Sequence, residues 1–558
     1  MSSRALLLER RPALSAAGIA TLALLIVAGW MLPGLLARDP WNPDEAYTFG
    51  LVYHILNHGD WIVPTLAGEP FMEKPPVFFI TAAGFARLFG GALPLHDAAR
   101  LAAAFYVGLT LLFTFLAART LYGRDSGIAA VLVLVGCIGY VHPAHLLVTD
   151  NALVAGLAMA LYGLAVSSER PALGGVLTGT GAGIAFLSKG LIGPGMIGLI
   201  AAILPLAAPW RTPAYARALA IAALAFAPWG LLWPWLLYQE SPALFREWLV
   251  VNNFGRYTGK SRLGPEHDHL MYVKILPWFA LPALPLAAWN LWSAARRGVN
   301  AVDLRGIGVP LAACCVIFGV VSSACNQRYL YAVPLLVPLS LLAAANWAAP
   351  PAWLTASLRG LAIGVALVSA AVLWAGWWIL LQHWPAGIAD ALLAARPGYV
   401  PDVDPVLASF AIVLTLGALV AFRASCGSLD ATVKWATAVA LAWGLLNTLW
   451  LPYLDFGNSY RGVVAQLAAR LPKDAGCIAN RHLGEPQRAM LEYFAGIVTY
   501  GADTPKGKSC DLLLVQASHR RVAAVHDHEW TRIWNGSRPG DTSERFWLFR
   551  RQGLRVAF

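Results

Sequence analysis

The chain has 558 residues, 58% of them hydrophobic and 13% charged, and its mean hydropathy is +0.59. That composition excludes an ordinary soluble globular protein and places the chain in a bilayer. The net charge of +11 does not point to nucleic acid. No basic run is interleaved with aromatics, and most arginines fall singly between apolar runs, the positive-inside pattern.

Apolar runs near the ~20 residues that a helix needs to cross the hydrocarbon layer recur at about 13–36, 97–119, 126–141, 146–166, 172–188, 191–208, 217–238, 272–293, 306–324, 330–348, 360–382, 405–422 and 434–453. Lipid offers no partner to a free backbone amide, so each run is predicted helical. The first is too long, and too poor in cleavage signals, for a removed signal peptide, and is expected to be retained. Arg4, Arg10 and Arg11 set the N-terminus in the cytoplasm. Cytoplasmic turns follow at Arg119/Arg124, Arg170, Arg211/Arg217, Arg296/Arg297/Arg305, Arg359 and Arg423/Lys434. Seven basic sites on one side require an odd number of spans if the polar tail lies opposite, and thirteen spans meet that requirement.

Three parts do not fit inside a bilayer, and all fall on the outer face. The connection at about 38–96 carries an apolar stretch from Pro75 to Leu88, shorter than a span and predicted to lie flat at the interface. The connection at about 239–271 is rich in Arg, His, Gly and Asn. The tail at 455–558 reads as a small α/β domain, with helices near 459–472 and 486–495 and strands near 477–480, 511–517, 529–534 and 545–550. Residues 1–454 then form the membrane domain. Cys477 and Cys510 lie in the tail, on the oxidising side, where a disulfide is an alternative to two free thiols. The sequence holds no internal repeat and no low-complexity tract.

Chemistry-bearing residues collect on the same face. Asp44 and Glu45 follow Trp41-Asn42-Pro43 just past the first span, where a substrate at the bilayer surface could meet them; the alternative is a solvated loop pair. Glu73 and Lys74 stand before the rigid Pro75-Pro76, and a lysine pinned at headgroup level suits a phosphate. A snorkelling lysine is the bland alternative. Asp150 enters one span and Lys189 separates two. Intramembrane charges are costly, so each is a candidate functional residue, unless the two form a structural ion pair. Arg256-Tyr257 and Arg328-Tyr329 put two guanidiniums on the outer face, against the positive-inside bias and therefore suggestive of an anionic ligand. His267-Asp268-His269, beside Glu266, would hold a divalent ion such as zinc if Glu73 came near, or would be a solvated cluster. No Walker loop, dinucleotide fingerprint or serine nucleophile elbow occurs.

The stretch Trp41-Asn42-Pro43-Asp44-Glu45-Ala46-Tyr47, Gly59-Asp60-Trp61-Ile62-Val63-Pro64, Gly68 and Phe71-Met72-Glu73-Lys74-Pro75-Pro76 resembles the first periplasmic loop of the ArnT family. These are lipid A 4-amino-4-deoxy-L-arabinose transferases related to protein O-mannosyltransferases within the GT-C superfamily. The long second outer loop and the tail match the family's layout. The resemblance implies an all-α polytopic membrane protein of GT-C type with thirteen transmembrane helices, a long periplasmic first loop with interfacial helices and a small periplasmic C-terminal α/β domain. It implies an undecaprenyl-phosphate-linked aminoarabinose donor, a lipid A phosphate as acceptor, and resistance to polymyxin-type peptides. Asp44 corresponds to the family's catalytic-site aspartate, and Glu73 and Lys74 to its Glu-Lys-Pro motif with the lysine near the donor phosphate. No nucleotide or obligatory metal is implied, and a monomer in a Gram-negative inner membrane, among membrane lipids and without nucleic acid, is expected. The alternatives are another GT-C transferase moving mannose or a hexosamine to protein or glycan, and a lipid-linked substrate flippase.

Overall fold

The computed structural model describes residues 15–255, 258, 268, 270–296, 304–325, 327–345, 349–472, 476–517 and 529–552. Arg4, Arg10, Arg11, Arg256, Tyr257, Glu266, His267, His269 and Arg297 lie outside them.

The described chain is mostly helical, and every one of the thirteen apolar segments carries a helix or a bent helix pair. Among the described residues seven helices are long and apolar enough to cross a membrane: Leu95–Tyr122, Pro171–Lys189, Pro213–Glu240, Leu304–Ser323, Ala352–Gln382, Pro405–Ala424 and the one ending at Leu449. Two bent pairs raise the number to nine. The other four predicted spans hold Ala16–Met31, Asp150–Val166, Ile192–Ile203 and Val333–Ala344, of 16, 17, 12 and 12 residues. At about 1.5 Å per residue these fall short of a ~30 Å hydrocarbon layer.

Both bent pairs were expected as straight spans. Ser126–Gly136 turns by 77° into Ile138–Ala144, and Met271–Phe279 turns by 96° into Ala283–Arg296. The two breaks face each other. Ile138 N–H donates to the Leu281 carbonyl at 3.4 Å, and Trp435 Nε1 donates to the Gly136 carbonyl at 2.8 Å. A Cβ on Gly139 would lie 2.4 Å from the Phe279 ring. Freed backbone groups are thus satisfied inside the protein, the condition under which a helix can break at membrane depth.

Glycines set the closest helix packing. A Cβ on Gly156 would sit 2.4 Å from the Gly181 carbonyl oxygen, and one on Gly181 equally close to that of Gly156. On its other face the Pro171–Lys189 helix presents Gly179, whose Cβ would lie 2.2 Å from the Ala222 carbonyl. Three helices therefore meet backbone to backbone, the small-residue solution to association in lipid.

The connection at 38–96 folds into the helix Asp44–His58, a hairpin of β1 (Thr65–Leu66) and β2 (Glu69–Pro70), and the helix Val77–Phe89 over the expected apolar stretch. The 239–271 connection, read as a loop, instead holds the helix Pro242–Arg246 and a wide π-helical turn, Glu247–Gly255. An unpredicted short helix, Ala386–Ala395, follows the eleventh segment.

In the tail, β3 (Ile478–Arg481), β4 (Thr499–Gly501), β5 (Leu512–Gln516), β6 (Trp530–Gly536) and β7 (Phe546–Arg551) form one sheet in the order β4-β3-β5-β7-β6. β3 pairs in parallel with β4 and β5, while β5–β7 and β7–β6 are antiparallel. The strand β4 was missed in the sequence because three residues carry no alternation signal. The pleat of β5 sends Leu512 and Leu514 into a core shared with the first connection, and Leu513 and Val515 to the other face. Cys477 and Cys510 are joined in a disulfide.

Gly156→Leu is expected to destabilise the protein by about 1–3 kcal/mol or more through forced helix separation, read as a lower unfolding temperature in detergent. Peptide mapping without reductant should recover Cys477 and Cys510 as one linked pair; alkylation of both thiols in native protein would contradict the disulfide.

Candidate active site

Glu45 and Asp44 are adjacent in sequence but do opposite things. Glu45 is 1% exposed and lies between two buried guanidiniums. Arg38 grips it with both terminal nitrogens, and Arg100 Nε donates to Glu45 Oε1 at 3.1 Å. The Leu147 amide adds a bond of 2.9 Å. Arg100 also donates to Asp97 at 2.6 Å and to the Leu35 carbonyl at 3.1 Å, and Arg38 to the carbonyls of Gly34 and His145 at 2.8 and 3.0 Å. Burial alone would raise the Glu45 carboxyl, but the Arg38 and Arg100 charges outweigh it and hold the group at about 2. Glu45, expected beside Asp44 as a catalytic carboxylate, does not line the cavity described below, because its oxygens are engaged by the arginines.

The network fixes the first turn of the Asp44–His58 helix, and Asp44, about 100° around it, faces a cavity of about 870 Å³. Tyr47, three residues on and so on the same side, donates its hydroxyl to Asp44 Oδ1 at 3.0 Å. Lys74 Nζ donates in turn to the Tyr47 oxygen and stands 4.9 Å from its ring centroid. Burial, with the Asp44 and Glu73 carboxylates, pushes the Tyr47 phenol well above its usual value, so it stays protonated and bridges lysine to aspartate. Arg328 Nη1 lies 3.7 Å from Asp44 Oδ1.

Lys189 closes the Pro171–Lys189 helix, which ends because Gly190 takes φ +68° and Asn253 Oδ1 accepts from the Leu191 amide at 3.0 Å. Its ammonium pairs with Asp150 and stands 4.3 Å from the Tyr331 ring centroid. The ion-pair alternative for these two is therefore what the structure contains, yet both side chains also line the cavity.

Asp44, Glu73, Lys74, Asp150, Lys189 and Arg328 thus share one cavity. Tyr329 is not among its lining residues and is 44% exposed. Arg256, Tyr257, His267 and His269 lie outside the described residues, and among the described residues no group of three His, Cys, Asp or Glu could hold a metal. Sequence reasoning missed Tyr47, which its spacing from Asp44 could have revealed. It also missed Tyr331 and the wall formed by Leu483–Pro486 and Arg488, for which no local signal exists.

The rest of the lining is apolar. Ile192, Met196 and Leu199 repeat at helical spacing along Ile192–Ile203, opposite Val320, Val321 and Ala324. Cations and acids at one end of an apolar cleft fit an anionic head on a hydrocarbon chain.

The fold and parts of the sequence have counterparts among known proteins. The crystal structure of ArnT from Cupriavidus metallidurans bound to undecaprenyl phosphate matches with a TM-score of 0.71 at 18% identity, covering 98% of this chain and 100% of that one. The fold is that of ArnT. The apo form of the same ArnT matches with a TM-score of 0.70. In sequence, residues 73–233 match the family model for dolichyl-phosphate-mannose-protein mannosyltransferase. The chain is similar to the undecaprenyl phosphate-alpha-4-amino-4-deoxy-L-arabinose arabinosyl transferases of Sodalis glossinidius and Edwardsiella ictaluri, at 28% and 29% identity. These alignments span 58% and 59% of this chain, and the same shares of the two relatives. The likeness to the ArnT family seen at residues 41–76 thus extends well beyond the first loop.

Glu45→Ala should leave the buried Arg38 guanidinium without its carboxylate and Arg100 with Asp97 alone, and cost about 3–5 kcal/mol. The wild type should lose stability as the pH falls from about 4.5 toward 2, because its depressed carboxyl is then protonated. Thermal unfolding over that range checks both, and the variant should show the smaller pH dependence.

Proposed function

We propose that this chain transfers 4-amino-4-deoxy-L-arabinose from undecaprenyl phosphate to a phosphate of lipid A at the periplasmic face of the inner membrane. The observation that carries the proposal is the single cavity in which Lys74, Arg328, Tyr47 and Asp44 meet an apolar cleft. The names of the similar transferases supply the sugar and its carrier.

In this reading an acceptor phosphate oxygen attacks the anomeric carbon of the sugar. The bond from that carbon to the undecaprenyl phosphate oxygen breaks, and its electron pair stays on the departing phosphate. Lys74 and Arg328 stabilise that charge as it develops. An acceptor phosphate is already an anion, so Asp44, held by the Tyr47 hydroxyl, orients a substrate and need not remove a proton. With a hydroxyl acceptor Asp44 would serve as general base. No nucleotide and no obligatory metal enters.

The topology belongs to the same proposal: thirteen spans, a cytoplasmic N-terminus, both long connections and the tail in the periplasm, and a monomer. The Cys477–Cys510 disulfide supports an oxidising compartment for the tail. The four short helices would then cross as part of a bundle whose polar ends lie in protein rather than lipid. Added aminoarabinose would lower the negative charge of lipid A and confer resistance to polymyxin and other cationic peptides.

Lipid A from cells with and without the protein is expected to differ by the mass of one aminoarabinose. An unchanged spectrum together with a newly glycosylated protein or glycan would favour mannosyl or hexosaminyl transfer, the reading suggested by the family model at residues 73–233. Asp44→Asn and Lys74→Ala should retain the wild-type unfolding temperature while sugar transfer falls below detection. Wild-type turnover by either would remove that residue from the active site.

A further inference from the structure

Among the described residues four cations line the cavity: Lys74, Lys189, Arg328 and Arg488. The first three come from the membrane helices and their connections, and each meets an acid or phenol of the cavity itself. Arg488 differs on both counts. It comes from the C-terminal unit, in the first turn of the Glu485–Ala495 helix. Its ion-pair partner is Glu69, on the small hairpin, which is 51% exposed and not a lining residue.

The position of Arg488 is fixed from behind. Its helix packs on the Asp44–His58 helix where Gly50 meets Ala489, so closely that a Cβ on Gly50 would lie 2.5 Å from that of Ala489. The side chain is 12% exposed, and Glu69 engages Nη1. Nε is buried without a hydrogen-bond partner among the described residues. An arginine fork offers five N–H donors suited to two oxygens of one phosphate. Holding one in a cavity wall with a buried donor unmet is unfavourable unless a ligand completes it.

Transfer also needs a second anion site. The departing phosphate occupies the group around Lys74 and Arg328, and the acceptor oxygen must approach the anomeric carbon from elsewhere. We propose that Arg488 is the acceptor-specificity residue: it binds a phosphate monoester of the incoming glycolipid, exchanging Glu69 for that phosphate. The inference rests on the transferase reading above and adds the residue that selects a phosphorylated acceptor. Arg488 positions the acceptor and takes no part in bond making or breaking.

The test uses the full-length protein in lipid nanodiscs, with an undecaprenyl-phosphate-linked sugar as donor. The acceptors are a phosphorylated glycolipid and its dephosphorylated form. Arg488→Ala should raise KM for the phosphorylated acceptor roughly 10- to 100-fold, with kcat and donor KM within about twofold, and Arg488→Lys should recover part of the loss. Glu69→Gln, which releases the fork, should lower the acceptor KM. Inorganic phosphate should compete with the acceptor in the wild type and no longer do so in Arg488→Ala. An unchanged acceptor KM, a rise confined to the donor KM, or equal binding of the dephosphorylated lipid overturns the assignment. Equilibrium binding of the two glycolipids separates the two proposals. If the wild type transfers no sugar yet binds the phosphorylated lipid through Arg488, the transferase reading falls and this one stands.

Discussion

The structure depends on one buried carboxylate. Glu45 is held by Arg38, Arg100 and the Leu147 amide, which draws the end of the first apolar segment, the start of the Leu95–Tyr122 helix and the Pro143–Val148 turn onto one point. Arg38 has no other carboxylate partner among the described residues, and a guanidinium left without one in a dry interior is strongly destabilising. A second cluster extends the clamp to the C-terminal unit: Asp39 accepts from Ser459 and Arg461, and Asp455 accepts from the Asp39 amide and Trp41 Nε1 at 2.9 and 2.7 Å. Residues more than 400 positions apart are thereby tied around the helix that carries Asp44 and Tyr47. The direction of Asp44 into the cavity is a consequence of what holds its neighbour.

From that fixed point the cavity acquires its two-sided character. Its polar end is assembled from the first connection, the ends of the Pro171–Lys189 helix and the segment at Arg328. Its apolar cleft runs between Ile192–Ile203 and Leu304–Ser323. The lining carboxylates Asp44, Glu73, Asp150 and Glu485 match Lys74, Lys189, Arg328 and Arg488 in formal charge, so the site is close to neutral while its donors remain oriented. Preorganised donors of this kind are most effective where water is scarce.

Much of this was legible in the sequence where the signal is local. Among the described residues, apolar length found every helix or bent pair long and apolar enough to cross a membrane, and strand alternation found four of the five strands in the tail. Six of the charged residues selected at span ends, before the rigid Pro75-Pro76 or against the positive-inside bias line one cavity. What escaped is set by long-range geometry. Asp44 and Glu45 are chemically alike, and only the approach of Arg38 and Arg100 decides which one faces the cavity. The breaks at Cys137 and at Ala280–Pro282 are accepted because each packs on the other, a fact of tertiary structure alone. The wall from Leu483 to Arg488 comes from a segment over 400 residues from Asp44, placed by sheet packing rather than by any motif.

The central claim is that one cavity holds a polyprenyl chain by its apolar cleft and the attached phosphate by Lys74 and its neighbours. Titration of the purified protein in nanodiscs with undecaprenyl phosphate, with undecaprenol and with inorganic phosphate tests it most directly. Saturable binding of the phosphorylated lipid at one site, much tighter than either fragment and lost in Lys74→Ala, is the predicted result. Equal affinity for undecaprenol, or undiminished binding by Lys74→Ala, would contradict it.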